Sequence, residues 1–396
     1  MIRCRAATAC ILLSLISLPG VLFAGDWSGL RDSLRDAGVD ISLNYTTDIS
    51  GNPAGGLDRT VVYSGFLSLS TVLDLEKILS IDGLSLKIGN YLASGRDISV
   101  SIGSYYSPQQ VYTSGDYYFG VLDLSKSMFD DKLDLEAGRL FAGDVFAVSP
   151  MFQYYLTSAV DGRLAAIPSD IFFPHYRSTA WGARATFRPE TDWSFITGIY
   201  NADPSVADPG KNGLDFSFRT DKGYLAVGQV NYRKGQEKES PEAPGGISFG
   251  GYYESSSFAY LSDPDVRVRG NYGFYATADK MIYRADLHRG LSVWGAGMYA
   301  PRDEINPQTY QAAAGLIYQG LPPGRSNDVT AFCFVLGHFS NDMEGRSEEM
   351  IIELDHRFQL TPWCYVTPDL QYIIKPNGMA DIDNALVLGF EASFDF

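Results

Sequence analysis

Three shortages bound what this chain can be. Cysteine is scarce: there are four, and Cys4 and Cys10 fall in a leader-like stretch, which leaves only Cys333 and Cys364 for the body of the protein. Two thiols in an exported chain of this size exclude a disulfide scaffold. Positive charge is in deficit, with 31 Lys and Arg against 47 Asp and Glu and a formal net charge of -16. That balance excludes nucleic acid as a partner. Finally, no run near 18 apolar residues follows residue 24, so no helix of the body spans a bilayer.

At the amino terminus, Arg3 and Arg5 precede the apolar stretch AATACILLSLISLPGVLF and the small residues Ala24 and Gly25. This is the pattern of a secretory signal peptide over residues 1–24, with the exact cut left open by the bulky Leu22. Residues 25–38 follow as an amphipathic helical segment, with Trp27, Leu30, Leu34 and Ala37 on one side and Arg31, Asp32, Arg35 and Asp36 on the other.

From residue 39 to the end the period is two. In the final twelve residues, ALVLGFEASFDF, Leu386, Leu388, Phe390, Ala392, Phe394 and Phe396 share one face, and Val387, Gly389, Glu391, Ser393 and Asp395 the other. Such alternation means a strand. Residues 39–51 and 61–74 alternate in the same way, and further strands are expected at 84–91, 116–127, 132–139, 180–188, 193–200, 223–233, 246–256, 272–283, 291–299, 310–319, 329–339, 350–360 and 365–374. Beyond about residue 245, tight connectors such as QLTPWC alternate with longer polar loops such as FSNDMEGRSE. Short turns on one rim and long loops on the other describe a membrane barrel. Before residue 245 the long connector RKGQEKESPEAPGG breaks the count. A soluble sandwich would need an apolar inner face, whereas polar residues on one face of each strand suit a water-filled lumen with lipid outside. The 25 Tyr and 23 Phe fit interfacial girdles, with Tyr63, Tyr118, Tyr200, Tyr232, Tyr283, Tyr299, Phe339 and Phe358 near strand ends. The expectation is an all-β chain whose residues 39–396 form a transmembrane antiparallel β-barrel of about sixteen strands.

Several stretches resemble the bacterial carbohydrate-selective porins of the OprB type: GDWSGLRDSLRDAGV with GNPAGGL, then VLDLEKIL, NYGFYATADKMIYR, QGLPPGRSNDV, and the last segment from FQLTPWCYVTPDL to the terminal Phe396. The resemblance covers essentially the mature chain. It implies a barrel in the outer membrane of a Gram-negative bacterium, passing sugars by diffusion through a lumen whose narrow part carries charged groups, often arginine. It also implies that Phe396 is the aromatic signal read by the barrel-assembly machinery. No motif identifies the sugar.

If the Phe396 set faces lipid, parity names the luminal residues. On 350–360, Glu353, Asp355, Arg357 and Gln359 face in, as do Asp369 and Gln371 on the next strand and Arg184 and Arg188 on 180–188. Cys333 comes out luminal and Cys364 lipid-facing. Arg or Lys on the lipid face near the midplane costs about 2–4 kcal/mol, which forces this choice. A narrow ring would set Arg184 and Arg357 against Glu353 and Asp355, with fixed donors and acceptors replacing water shed by sugar hydroxyls. The long segment 140–178 is expected to fold into the lumen. There Phe152, Tyr154, Tyr155, Phe172, Phe173 and Tyr176 either stack on sugar rings or pack the segment on the wall, and Arg139, Arg163 and Arg177 are further donors. A general or ion- and organic-acid-conducting porin is the alternative, and an outer-membrane barrel enzyme a more distant one: GISFG at 246–250 lies in an alternating strand and not on a strand-to-helix turn. His175, His288, His338 and His356 lack metal-ligand spacing, so no metal and no cofactor are expected. The sequence leaves monomer and homo-oligomer both open.

Overall fold

The computed structural model describes residues 29–111, 117–236, 240, 242–286 and 289–396. The leader, and His288, lie outside them. A short helix α1 (Leu30–Asp36) leads into sixteen strands. They are β1 (Val39–Ala54), β2 (Val61–Asp74), β3 (Leu84–Gly95), β4 (Tyr117–Met128), β5 (Leu133–Leu140), β6 (Ala180–Glu190), β7 (Trp193–Asn201), β8 (Tyr224–Lys234), β9 (Gly245–Ala259), β10 (Arg267–Arg284), β11 (Gly290–Tyr299), β12 (Gln308–Gln319), β13 (Val329–Phe339), β14 (Glu348–Thr361), β15 (Cys364–Ile374) and β16 (Ala385–Asp395). Each pairs antiparallel with its neighbours in sequence, and β1 closes on β16 through Asn44 opposite Asp395 and Ile49 opposite Phe390. The ring leaves no sheet edge, so every ladder group has a partner without water. Among the described residues no helix is long and apolar enough to cross a membrane. The strands do the crossing.

Connectors sort largely by rim, and the sorting extends to the start, with the nine-residue links 75–83 and 320–328 as exceptions on the short-turn rim. Links 129–132, 191–192, 285–289 and 362–363 lie on the rim that holds both ends of the barrel, together with 235–244, the connector that broke the count. Its two ends lie on the short-turn rim. Links 96–116, 141–179 and 202–223 lie on the other rim.

Outside, the exposed residues are apolar: Ile49, Leu69, Leu92, Leu124, Phe195, Ile199, Phe249, Phe274, Leu316, Phe332, Leu354, Leu370 and Leu388. Tyr63, Tyr283 and Tyr299 point outward near strand ends, but three expected girdle residues do not. Tyr118, Tyr200 and Phe339 are buried inside the barrel. Nearness to a strand end alone does not choose a face, and all three fall on the luminal parity of their strands.

The hydrophobic core lies within the barrel. The segment 141–179, with α4 (Ala166–Asp170) inside it, folds into the lumen, and its Phe146, Phe152, Tyr155, Leu164, Ile167 and Phe173 bury against Tyr200, Tyr252, Tyr275, Trp294, Val335 and Ile351 of the wall. (Helices α2 and α3 are Leu75–Leu79 and Ser99–Ile102.) Glycine makes the wall flat enough for this. A Cβ on Gly198 would meet the Tyr200 ring at 2.8 Å, and one on Gly315 would meet the Trp294 indole at 2.6 Å. Luminal aromatics thus lie flat over neighbouring strands and form a shelf for the loop. On β11 to β13 the inward residues are accordingly mostly apolar, among them Met298, Ala313, Ile317, Ala331 and Cys333, with Gln311 a polar exception on β12, so the polar lumen expected of every strand is largely replaced there by an apolar wall.

Candidate functional site

The polar residues of the luminal wall mostly hold the inserted loops. Glu353 accepts the backbone N–H groups of Leu156 at 2.6 Å and Thr157 at 3.1 Å. Glu254 accepts the N–H of Phe172 at 2.7 Å, and Gln311 both accepts from Ala166 N and donates to the Ala159 carbonyl. Glu349 takes three N–H groups, from Tyr105, Tyr106 and Asn377, and so ties link 96–116 to the loop between β15 and β16. Asp48 accepts Val111 N–H at 2.9 Å. A loop inside a barrel carries backbone donors that water no longer reaches, and each needs such an acceptor.

This changes the part played by several sequence-selected residues. Glu353, Asp355, Arg357, Asp369 and Gln371 do point inward, yet Glu353 and Gln371 are fully buried and Asp369 and Asp355 nearly so. Gln371 donates to the Pro108 carbonyl at 2.8 Å and to Asp369 at 2.9 Å, under the inserted link. Arg139 is 1% exposed and donates to the Gly213 carbonyl and to Thr179 Oγ1, fastening the β7–β8 link. Arg184 forms a two-pronged pair with Glu136 across β5 and β6. Arg188 pairs with Asp134 at the short-turn rim and is exposed. Arg177 sits at a left-handed backbone position (φ 67°) and is half-buried. The ring of Arg184 and Arg357 against Glu353 and Asp355 is therefore not assembled. β6 and β14 stand eight strands apart in the sixteen-strand ring, and each arginine has local partners.

Two of the selected arginines do meet in one space. A cavity of about 450 Å³ opens between the loops and the wall of β14, β15, β16, β1 and β2. Arg163 and Arg357 line it, with Asp161, Gln110, Gln153, Asn44, Thr46, Ser393 and Asp395 as further polar groups and Phe66, Tyr176 and Tyr365 as aromatics. Arg357 is held rigidly. Its guanidinium carbon lies 3.9 Å from the Tyr365 ring centre and 5.2 Å from that of Tyr154, its Nη2 donates to the Gln153 carbonyl at 2.7 Å, and Glu391 lies 3.9 Å away. Stacking fixes the plane of the group, and a fixed plane leaves its remaining N–H directions set for a ligand. Asp161 accepts from Gln110 Nε2 at 3.2 Å. Beneath the rim of this space Phe66 meets Tyr176 edge to face at 4.7 Å and stacks beside Tyr91 at 5.7 Å. Of the six loop aromatics, Phe152, Tyr155 and Phe173 are buried in the core, so packing prevails for them, while Tyr176 reaches the cavity. Sequence reading passed over Phe66 and Tyr365; strand parity places Tyr365 on the same luminal face as Asp369, and Phe66 on the face of β2 that carries Ser64 and Ser68.

A second, smaller cavity of about 230 Å³ lies at β2 to β6, where Lys87, Asp123, Glu136, Asp144 and Arg184 meet. Together the two describe an unfilled, charged side of the lumen facing the apolar side that carries the loop. Cys333 is buried on the luminal face beside Glu353, and neither it nor Cys364 is in a disulfide.

In the loop, burial and the nearby Arg163 push the His175 imidazole down to about 3, against an ordinary value near 6.5. The folded state binds the neutral ring, so its contribution is complete above pH 6.5 and is lost progressively as pH falls from 6.5 toward 3. We expect the protection of amides across residues 172–178, taken relative to their intrinsic exchange rates at each pH, to fall between pH 7 and pH 4 in the native protein and to change less in His175→Gln.

A family model described as carbohydrate-selective porin, OprB family, matches residues 58–396. Porin B of Pseudomonas aeruginosa is 25% identical, with 93% of this chain and 89% of that protein covered. The putative porin QuiX of Acinetobacter baylyi is 22% identical over 94% of this chain and 92% of that protein. Among solved structures, the high-pH structure of Pseudomonas putida OprB matches 94% of this chain and 97% of its own with a TM-score of 0.87 at 24% identity, and the low-pH structure of the same protein gives 0.65 at 21% identity, covering 95% and 99%. These structural likenesses speak for the fold.

Proposed function

The chain belongs to the OprB family of carbohydrate-selective porins, is an outer-membrane carbohydrate porin, and from that premise we propose that mono- or small oligosaccharides diffuse along the unfilled side of its lumen, past Arg163 and Arg357. The single observation that carries this route is the 450 Å³ cavity in which two guanidinium groups and several neutral donors and acceptors face Phe66, Tyr176 and Tyr365. Sugars present a belt of hydroxyls and flat C–H faces. Fixed hydrogen-bond groups exchange for the hydration of the hydroxyls, and aromatic rings cover the C–H faces. Of the sequence-selected residues, Arg163 and Arg357 contact the solute, whereas Arg139, Glu353, Asp369 and Gln371 keep the loops in place. Arg184 lines the second cavity, Asp355 backs Arg357, and Arg177 and Arg188 stand outside the narrow part. Transport is passive, with no bond made or broken.

Planar-bilayer recording tests this reading. Glucose added to single channels should reduce the ion current in a saturable way, and Arg357→Ala should weaken that saturation several-fold. A current reduced only in proportion to solution viscosity would remove the binding cavity from the path.

Phe396 is proposed as the assembly signal. Its N–H donates to the Leu43 carbonyl at 2.8 Å and its own carbonyl accepts from Arg31 at 3.1 Å. Deleting Phe396 should remove most of the folded, heat-modifiable protein from outer-membrane fractions while the unfolded form accumulates. Normal amounts of folded protein would contradict that role.

A further inference from the structure

The hairpin of β9 and β10 rises above its neighbours: β8 pairs up to Glu254, and β11 reaches only Phe274, whereas the hairpin ladder continues to Ala259 opposite Arg267. Along its flank runs a cavity of about 890 Å³. Arg267, Arg269 and Lys222 line it, with Ser257 and Thr220 and, on its inner side, Phe172. Arg267 and Arg269 both sit on exposed positions, and Tyr272 below them is an outward, exposed tyrosine on the same strand. At about 3.3 Å per residue, Arg269 lies about 10 Å and Arg267 about 16 Å along the strand beyond Tyr272. In a tilted strand that is the level just outside the hydrocarbon, where headgroups lie.

Two acids, Asp221 and Glu254, also line the cavity, and the acids nearby have partners other than Arg267 and Arg269. Glu304 pairs with Arg302 at 2.8 Å, Asp221 lies 3.8 Å from Lys222, and the Glu254 carboxylate is taken by the Phe172 N–H. Asp263 accepts the Asp265 N–H in the exposed hairpin tip. Arg267 donates to Ser257 Oγ at 3.1 Å and to its carbonyl, which fixes its direction without neutralising it. Arg302 Nη1 donates to the Arg269 backbone carbonyl, which pins the strand there. Among the described residues no carboxylate comes within ion-pair distance of Arg267 or Arg269. Two uncompensated guanidinium groups over an aromatic belt form a receptor for a bound anion.

We propose that this cavity binds a phosphate of the lipopolysaccharide that forms the outer leaflet, with Arg267 and Arg269 on the phosphate oxygens, Lys222 beside them being paired with Asp221. The location selects the partner: in the outer membrane, the phosphorylated glucosamine headgroup of lipid A is the anion present at this depth on the loop-bearing side. Charge complementarity supplies the affinity, and the polar Ser257 and Thr220 offer contacts to the sugar ring.

The test uses the full mature barrel refolded in detergent and floated with vesicles containing hexa-acylated lipid A, either bis-phosphorylated or enzymatically dephosphorylated. Retention of the phosphorylated lipid after detergent washing should exceed that of the dephosphorylated form by about tenfold or more, since each cation near an anionic surface contributes measurably. Arg267→Gln with Arg269→Gln should lose that advantage, and the paired lysine variant should keep part of it. Heat-modifiable migration reports whether each variant is folded, and the two-lipid comparison on the native protein stands even if the glutamine variant is not. Equal retention of the two lipids, or an undiminished preference in a folded glutamine variant, would overturn the proposal. So would displacement of lipid A by low-millimolar inorganic phosphate, which would mark a site for free phosphate solutes.

Discussion

Replacing residues 143–177 by a short glycine–serine linker is expected to raise single-channel conductance several-fold and to abolish discrimination among solutes of similar size. The segment occupies one side of the lumen, with Phe146, Phe152, Leu164, Ile167 and Phe173 against the wall, and it contributes Gln153, Asp161, Arg163 and Tyr176 to the cavity. Its removal widens the path and takes Gln153, Asp161 and Arg163 out of the polar lining at once. The sixteen-strand ladder closes without it, so the variant should still insert. An unchanged conductance would mean that solutes do not pass beside this segment.

The second large effect is expected at Glu353. In Glu353→Ala the N–H groups of Leu156 and Thr157 lose their acceptor in a buried site, at about 1–3 kcal/mol for each donor left unpaired. Glu353→Gln keeps an acceptor oxygen and should cost much less. The alanine variant should show faster hydrogen exchange across residues 155–158 and a noisier open-channel current, because the inserted loop is seated on this carboxylate. Identical exchange in both variants and the native protein would show that apolar packing alone holds the loop.

Both expectations rest on a distinction that alternation cannot make. Period-two patterning located all sixteen strands, from Val39–Ala54 to Ala385–Asp395, to within a few residues for most, because the side-chain parity of a strand is a local property. It also identified the inward faces, so that Glu353, Arg357 and Gln371 fall where parity sets them. What covers an inward face is a non-local matter. Glu353 as a loop acceptor depends on Leu156, 197 positions away in the chain, and Arg139 as a fastener depends on Gly213. Tyr118, Tyr200 and Phe339 were drawn to the girdle by position along the strand, although their parity already pointed inward. Phe66 was legible in the same way, as the luminal partner of Ser64 and Ser68, and only the arrival of Tyr176 beside it makes it part of a site. Arg163 was legible as a charged residue in a long segment, but its meeting with Arg357 required the fold of that segment.

The charged side of the lumen poses a physical question of its own. Asp48, Asp355, Asp369 and Glu391 lie on adjacent strands facing inward, both Asp355 oxygens and both Glu391 oxygens lack hydrogen-bond partners among the described residues, and Arg357 is the guanidinium beside them. An arginine so placed balances buried acid behind it while presenting its stacked face to the cavity. On the proposed route, that arrangement makes one side chain serve both the wall and the path.

The most direct test of sugar passage along this path is the swelling rate of liposomes holding the purified mature protein, in glucose, in a disaccharide, and in an uncharged non-sugar polyol of matching size. Faster entry of glucose than of the matched polyol, with the difference reduced in Arg357→Ala, is the predicted result. Equal rates for sugar and polyol would contradict it, because a lumen that does not distinguish them draws nothing from the groups around Arg163 and Arg357.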